Sequence, residues 1–147
     1  MVNTTAKELF EKGVEALSQN KTLPALASFE KAIQMGDNPA YYSYLAYCIA
    51  KERGQVRKAI SLCEEAIQKD TENPVHYLNL GKVYLHAGNK EYAIKVFREG
   101  LKFERNQQII NELIKLATRK PPVIPFLNRD NPINKYLGII LKLLGLR

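Results

Sequence analysis

His76 and His86, Cys48 and Cys63, the adjacent Glu64 and Glu65, and the tyrosines Tyr41, Tyr42, Tyr44 and Tyr47 are the side chains of this sequence whose types invite chemistry. The two histidines stand ten residues apart, near opposite ends of one helical pattern. Zinc sites on helices want histidines four apart or a nearby carboxylate cluster, so no metal is expected, and both rings are expected at the surface. Glu64 and Glu65 are neighbours on one solvated helix face, whereas general acid–base work needs carboxylates facing each other across a cleft. Cys48 and Cys63 lie within helical patterns, in neither a CxxC nor a metal-ligand spacing, and are expected to be reduced core thiols. No GxxxxGK[S/T] or GxGxxG run offers a phosphate cradle, and no cofactor is expected. The tyrosines stand near lysines and could stack bases. At helical spacing they serve packing instead, and nucleic acid is not an expected partner. The sequence thus holds no candidate catalytic residue, and its function is expected to reside in surfaces.

Those surfaces must be positioned by elements that repeat. Residues 77–97 read Tyr77-x2-Leu80-Gly81-x2-Tyr84, then Ala93-x3-Phe97. Leu9, Gly13, Ala25 and Phe29 stand 68 positions earlier, which is twice 34, and Tyr42, Leu45, Ala46, Ile49, Ala59 and Ala66 fall halfway between. A fixed period of this length marks a chain of units, each burying its apolar face only against its neighbours. Each unit reads as two helices. Thr5 with Glu8 three residues on is a capping-box signature, and Asn38-Pro39 and Asn73-Pro74 combine a strong N-cap with the residue that best tolerates the first helical position. Gly54 and Gly88-Asn89 mark turns inside units. The expected helices are 5–18, 22–35, 39–52, 56–69, 74–87, 90–103 and 107–118. Gly13, Ala46 and Gly81 are expected to let paired helices approach, as are Ala25, Ala59 and Ala93 from the second helix. Tyr42, Tyr77, Tyr84, Phe29 and Phe97 fill the grooves between.

These motifs resemble the tetratricopeptide repeat. The third repeat is similar throughout, with Tyr77 where the family usually has Trp. The second carries one extra residue in its turn and Cys63 where an aromatic is usual. The first lacks the large aromatic at Leu9 and has Lys12 in place of Leu, and the family's closing Pro is replaced by Asp37, Thr71 and Arg105. The resemblance implies an all-α fold, a solenoid built as a right-handed superhelix of antiparallel helix pairs. Its repeats would be 5–37, 38–72 and 73–105, followed by a capping helix at 106–119. It also implies a concave face lined by the first helix of each repeat. By register the exposed positions there are Phe10, Val14 and Leu17; Ser43, Tyr47 and Ala50; Leu78, Lys82 and Leu85. Family members that hold chaperone tails clamp a peptide carboxylate with Lys, Asn and Arg at such positions. Here only Lys82 is charged, which argues against a carboxylate clamp and for an apolar helix or segment as the ligand.

The end of the chain differs from the rest. Residues 1–101 hold 13 Lys/Arg and 12 Asp/Glu, whereas residues 102–147 hold 9 and 3, so nearly all of the +7 net charge lies in the last third. That asymmetry suits an anionic partner or a solubilising surface. Pro121, Pro122 and Pro125 set an extended path over 120–131, and Val123, Ile124, Phe126 and Leu127 are apolar enough to lie along the array. A final helix is expected over 132–145. Asn134, Lys135, Gly138, Lys142 and Gly145 occupy one strip of about 100° of its circumference, and apolar residues cover the rest. A helix so apolar must dock. Phe126, Leu127, Ile133, Leu137, Ile140, Leu141 and Leu144 are the expected docking residues. Four destinations stand open: the groove of the same chain, a second copy, another protein, or an anionic membrane surface. This segment is similar to C-terminal extensions of some small bacterial members of the family.

Composition bounds the remainder. At 46% hydrophobic and 25% charged, the chain is that of an ordinary soluble domain. MVNTTAKELF lacks a basic region followed by an apolar run, and no apolar stretch reaches membrane-spanning length, so a cytoplasmic location is expected. The expected function is a protein-interaction adaptor or scaffold, its groove open to a protein or peptide partner or filled by its own tail. The alternative is a membrane-surface tether or homodimer that uses the basic, apolar last helix.

Overall fold

The structure is a computed structural model, describing residues 4–117 and 132–145, the side chains of 132–137 excepted. Among the described residues eight α-helices follow one another: α1 Ala6–Ser18, α2 Thr22–Met35, α3 Pro39–Arg53, α4 Val56–Lys69, α5 Pro74–His86, α6 Lys90–Leu101, α7 Gln107–Leu116 and α8 Pro132–Leu143. No strand occurs among the described residues. The chain divides into two compact units, Met1–Leu116 and Ala117–Arg147.

The helix starts are set locally. The Thr5 hydroxyl accepts from the Glu8 N–H at 3.2 Å while the Thr5 N–H donates to the Glu8 carboxylate at 3.0 Å, which closes the capping box. Asn38 and Asn73 accept from the N–H of Ala40 and Val75, with Pro39 and Pro74 at the first helical position. α3 ends on Gly54 at φ +66°, a left-handed cap that a residue without Cβ adopts at no steric cost.

In the first unit α1 packs on α2, α3 on α4 and α5 on α6. α3 also meets α2 and α5, α5 meets α4, and α7 closes against α6. Contact distance within pairs is set by small residues against large ones. A Cβ at Gly13 would lie 2.5 Å from the Phe29 ring, and one at Gly81 would overlap the Phe97 ring. The middle pair solves the same problem differently. Ala46 replaces the glycine and Cys63 replaces the phenylalanine, and both are fully buried. The extra methyl on one helix is accommodated by a smaller side chain on the other. Gly100 serves the junction with α7, since a Cβ there would meet Tyr77 at 2.7 Å and Ile109 at 3.1 Å.

Other expected packing residues behave less uniformly. Tyr77 is buried, but Tyr42 at the corresponding position is only half-buried, with the Lys69 ammonium 5.6 Å from its ring centroid. Cys48 and Cys63 are free thiols in the core. Burial pushes the Cys48 thiol up to about 12, and Cys63 higher still, so neither is a thiolate at neutral pH. Phe126 and Leu127, with the extended path expected for 120–131, lie outside the described residues, as do the side chains of Ile133 and Leu137.

The small–large pairing gives a reciprocal prediction. Gly81→Ala gains helix propensity but forces a methyl into the Phe97 ring, for a net loss of about 1–3 kcal/mol in urea unfolding. Cys63→Phe is expected to destabilise by a similar amount, and Ala46→Gly in the same chain to recover more than half of that loss. A Cys63→Phe loss unaffected by Ala46→Gly would show that the two positions do not share volume.

Candidate functional site

Helices α1, α3, α5 and α7 present one face of the first unit, and two cavities open on it. A cavity of about 270 Å3 is lined by Val14, Leu17 and Ser18 of α1, Tyr44 of α3, Leu78, Asn79 and Lys82 of α5, and Gln108, Asn111, Glu112 and Lys115 of α7. A second, of about 280 Å3, is lined by Tyr47 and Lys51 of α3, Lys82, Leu85 and His86 of α5, and Glu112 of α7. Lys82 and Glu112 belong to both.

Lys82 is therefore central to the face. Its ammonium sits 4.2 Å from the Tyr47 ring centroid, a cation–π contact, and the Lys51 ammonium lies 6.0 Å from the same ring. Burial pulls the Lys82 pKa below the ordinary lysine range, opposed by the Glu112 carboxylate. Glu112 also meets the Lys115 ammonium at 3.5 Å. Three lysines against one glutamate leave these two cavities basic. An ammonium held partly out of water by an aromatic ring binds an anionic or polar group more strongly than a solvated lysine does.

The expected groove residues do not all face the groove. Val14, Leu17, Tyr47, Lys82 and Leu85 line the cavities. Leu78 lines the first cavity but is only 2% exposed. Phe10 is half-buried in an aromatic cluster, its ring 5.0 Å from Tyr41, 5.2 Å from Tyr44 and 5.8 Å from Phe29 between centroids. Ser43 and Ala50, expected on the open face, are fully buried. The reason is the tight contact of α3 with its neighbours, which turns these two positions into the array.

His76 is the larger correction. It was expected at the surface and is fully buried, whereas His86 is exposed. Its Nδ1 lies 2.9 Å from Ser43 Oγ and its Nε2 3.0 Å from Asp70 Oδ2. The Asp70 carboxylate only accepts, so Nε2 carries the hydrogen and Nδ1 accepts from the Ser43 hydroxyl. Asn79 Nδ2 donates to Ser43 Oγ at 3.2 Å, and Asn73 Nδ2 donates to Asp70 at 3.0 Å. Asn79 Oδ1 is buried with no partner among the described residues. Serine, histidine and aspartate thus follow one another as in a hydrolytic triad, but with the ring nitrogens exchanged, since there the aspartate holds Nδ1–H and the serine faces Nε2. Ser43 and His76 are both 0% exposed, so no acyl group reaches the hydroxyl, and the arrangement joins α3 to α5.

Sequence reasoning missed Ser18, Tyr44, Asn79 and the α7 residues Gln108, Asn111, Glu112 and Lys115. The last four recur at i, i+3, i+4 and i+7, one face of a helix, and that spacing was the available signal. Among the described residues no cluster of His, Cys, Asp or Glu could hold a metal ion.

The array is a tetratricopeptide-repeat fold. Residues 50–115 match the family model described as Tetratricopeptide repeat. The chain is 29% identical over 116 residues to the Hsp70-Hsp90 organising protein of Plasmodium falciparum, covering 74% of this chain and 21% of that protein. It therefore spans about a fifth of that relative's length. Among solved structures, it is similar to the first tetratricopeptide domain of Spaghetti (RPAP3) bound to the HSP90 peptide SRMEEVD. The identity is 24% and the TM-score 0.59, over 77% of this chain and 93% of the other. The Sgt2 domain from Aspergillus fumigatus is 19% identical at a TM-score of 0.58, over 87% and 92%.

The buried junction makes stability depend on pH. Burial lowers the His76 pKa from its ordinary 6.5, and the Asp70 hydrogen bond only partly offsets it. The unfolded chain then binds the proton more readily, so stability held above about pH 6.5 is lost as pH falls through that value. His76→Ala strands Ser43 and leaves a cavity, for an expected loss of about 2–4 kcal/mol at pH 7 in urea unfolding. The same variant should lose less stability than the parent between pH 7 and 5. An equal pH slope in both would place the titration elsewhere.

Proposed function

We propose that this chain is a protein-interaction module whose α1–α3–α5–α7 face takes a short segment of another protein. The observation that carries the reading is Lys82, seated over Tyr47 and shared by two cavities on that face. Apolar side chains of the segment would lie against Val14, Leu17 and Leu85, as in a helix-in-groove contact. Gln108 and Asn111 offer amides for its polar groups, and the lysine excess favours an acidic side chain near Lys82. No group in the cavities is arranged to make or break a covalent bond, and the module would act by holding partners together.

The chain's own tail fits less well. Residues 121–147 hold Arg129, Lys135, Lys142 and Arg147 against Asp130 alone, so like charge opposes like in the groove. The similar RPAP3 domain carries an HSP90 peptide, SRMEEVD. Chaperone-tail binding is a weaker reading here, because apolar Phe10 and Val14 stand at first-repeat positions where a carboxylate clamp needs donors.

Selection of a random peptide library on the full chain tests this. Enriched peptides are expected to combine apolar residues with at least one acidic residue. Their affinity should fall at least tenfold, about 1.4 kcal/mol, in both Lys82→Ala and Tyr47→Ala. SRMEEVD is expected to bind at least tenfold more weakly than the selected sequences. No enrichment, or enriched peptides indifferent to both substitutions, would overturn the proposal.

A further inference from the structure

α8 and the turn that follows it carry a stripe of apolar side chains that water reaches. Ile139 is 57% exposed, Ile140 49%, Leu143 81% and Leu144 65%. Their spacing of i, i+1, i+4 and i+5 places them side by side along about 140° of the helix. Lys142 is exposed and falls about 60° beyond the edge of that stripe, and the sequence puts Lys135 at a neighbouring register seven residues earlier. The helix is twelve residues long, about 18 Å, well short of the ~30 Å hydrocarbon core of a bilayer. Among the described residues no helix is long and apolar enough to cross a membrane. Such a helix can lie in a bilayer's surface but not traverse it.

Charge selects among possible occupants of the stripe. From Pro132 to Arg147 the sequence holds Lys135, Lys142 and Arg147 and no acidic residue. A second copy of the helix would bring the same three positive charges alongside, with nothing to neutralise them. The basic cavities of the first unit oppose it in the same way. An anionic lipid surface supplies both of the needed parts, an acyl boundary for the leucines and isoleucines and phosphates for the lysines.

We infer that α8 is an interfacial helix that docks this chain on an anionic phospholipid bilayer. Ile139, Ile140, Leu143 and Leu144 enter the acyl boundary, and Lys142 stays at the level of the phosphates, its stem along the apolar edge. This inference is independent of the groove's ligand. It gives the interaction module a place, the cytosol-facing kind of surface where acidic lipids gather.

Co-sedimentation of the full chain with vesicles tests it, using phosphatidylcholine alone and phosphatidylcholine with about 30% phosphatidylserine. The chain is expected to sediment with the anionic vesicles at least tenfold more strongly than with the neutral ones, and raised salt should weaken that binding. Ile140→Asp with Leu143→Asp should abolish it, and Lys142→Gln should reduce it, with the urea midpoint of the array unchanged in both. No sedimentation with anionic vesicles would overturn the inference. So would binding that survives the aspartate pair, which would make it adsorption by charge alone. A dimer in light scattering that the aspartate pair dissolves, without vesicle binding by the parent, would assign the stripe to a second copy.

Discussion

The contact between α3 and α5 governs the rest of this array, because the cavities of the α1–α3–α5–α7 face keep their shape only if successive first helices keep a fixed spacing. Ser43 meets His76 and Asn79 across it at 2.9 and 3.2 Å, and His76 is held in turn by Asp70 at the end of α4 at 3.0 Å. Apolar packing is tolerant of sliding, whereas a buried hydrogen-bonded group has a full desolvation cost in any other register. The junction thus fixes the register of the second and third repeats. Asn79 belongs to the junction and also lines the first cavity, and Leu78 beside it does the same. Groove shape and repeat stacking are consequently one problem in this chain.

Around the junction, two other devices keep the units in place. The aromatic cluster of Phe10, Phe29, Tyr41 and Tyr44 ties the first repeat to the second, with ring centroids 5.0–5.8 Å apart. Arg53 and Glu30 add a bridge of 2.8 Å between α3 and α2, half-exposed and worth no more than about 1 kcal/mol. The third repeat leans on α7, whose Ile109 is fully buried behind Gly100. α7 thereby does two jobs. Its apolar side closes the array, and its polar side supplies Gln108, Asn111, Glu112 and Lys115 to the groove.

Local chemistry made the helices legible in the sequence. Thr5, Asn38-Pro39 and Asn73-Pro74 act within three residues, and small–large spacing within a unit acts within 17, so both can be read from the chain itself. His76 could not be read that way. Its partner Ser43 is 33 positions distant, and whether a lone histidine on an apolar helix is buried depends on what the neighbouring unit offers it. The same limit applies to the groove. Register assigned Ser43 and Ala50 to the open face, but the closeness of adjacent helices, a property of the packed array, turned them inward. A hint was present in His76 and Asn79, polar residues three apart and therefore on one face of an otherwise apolar helix.

The α1–α3–α5–α7 face is the surface proposed to meet partners. Site-specific photo-crosslinking reads this directly. A benzophenone side chain replaces Leu85, which lines the second cavity, in one variant of this chain. In another it replaces Leu23 of α2, which is 62% exposed and lines neither cavity. A peptide selected on the parent chain should crosslink from position 85 and not from position 23. Crosslinking from 23 in preference to 85 would place the binding surface on the second helices and contradict the account.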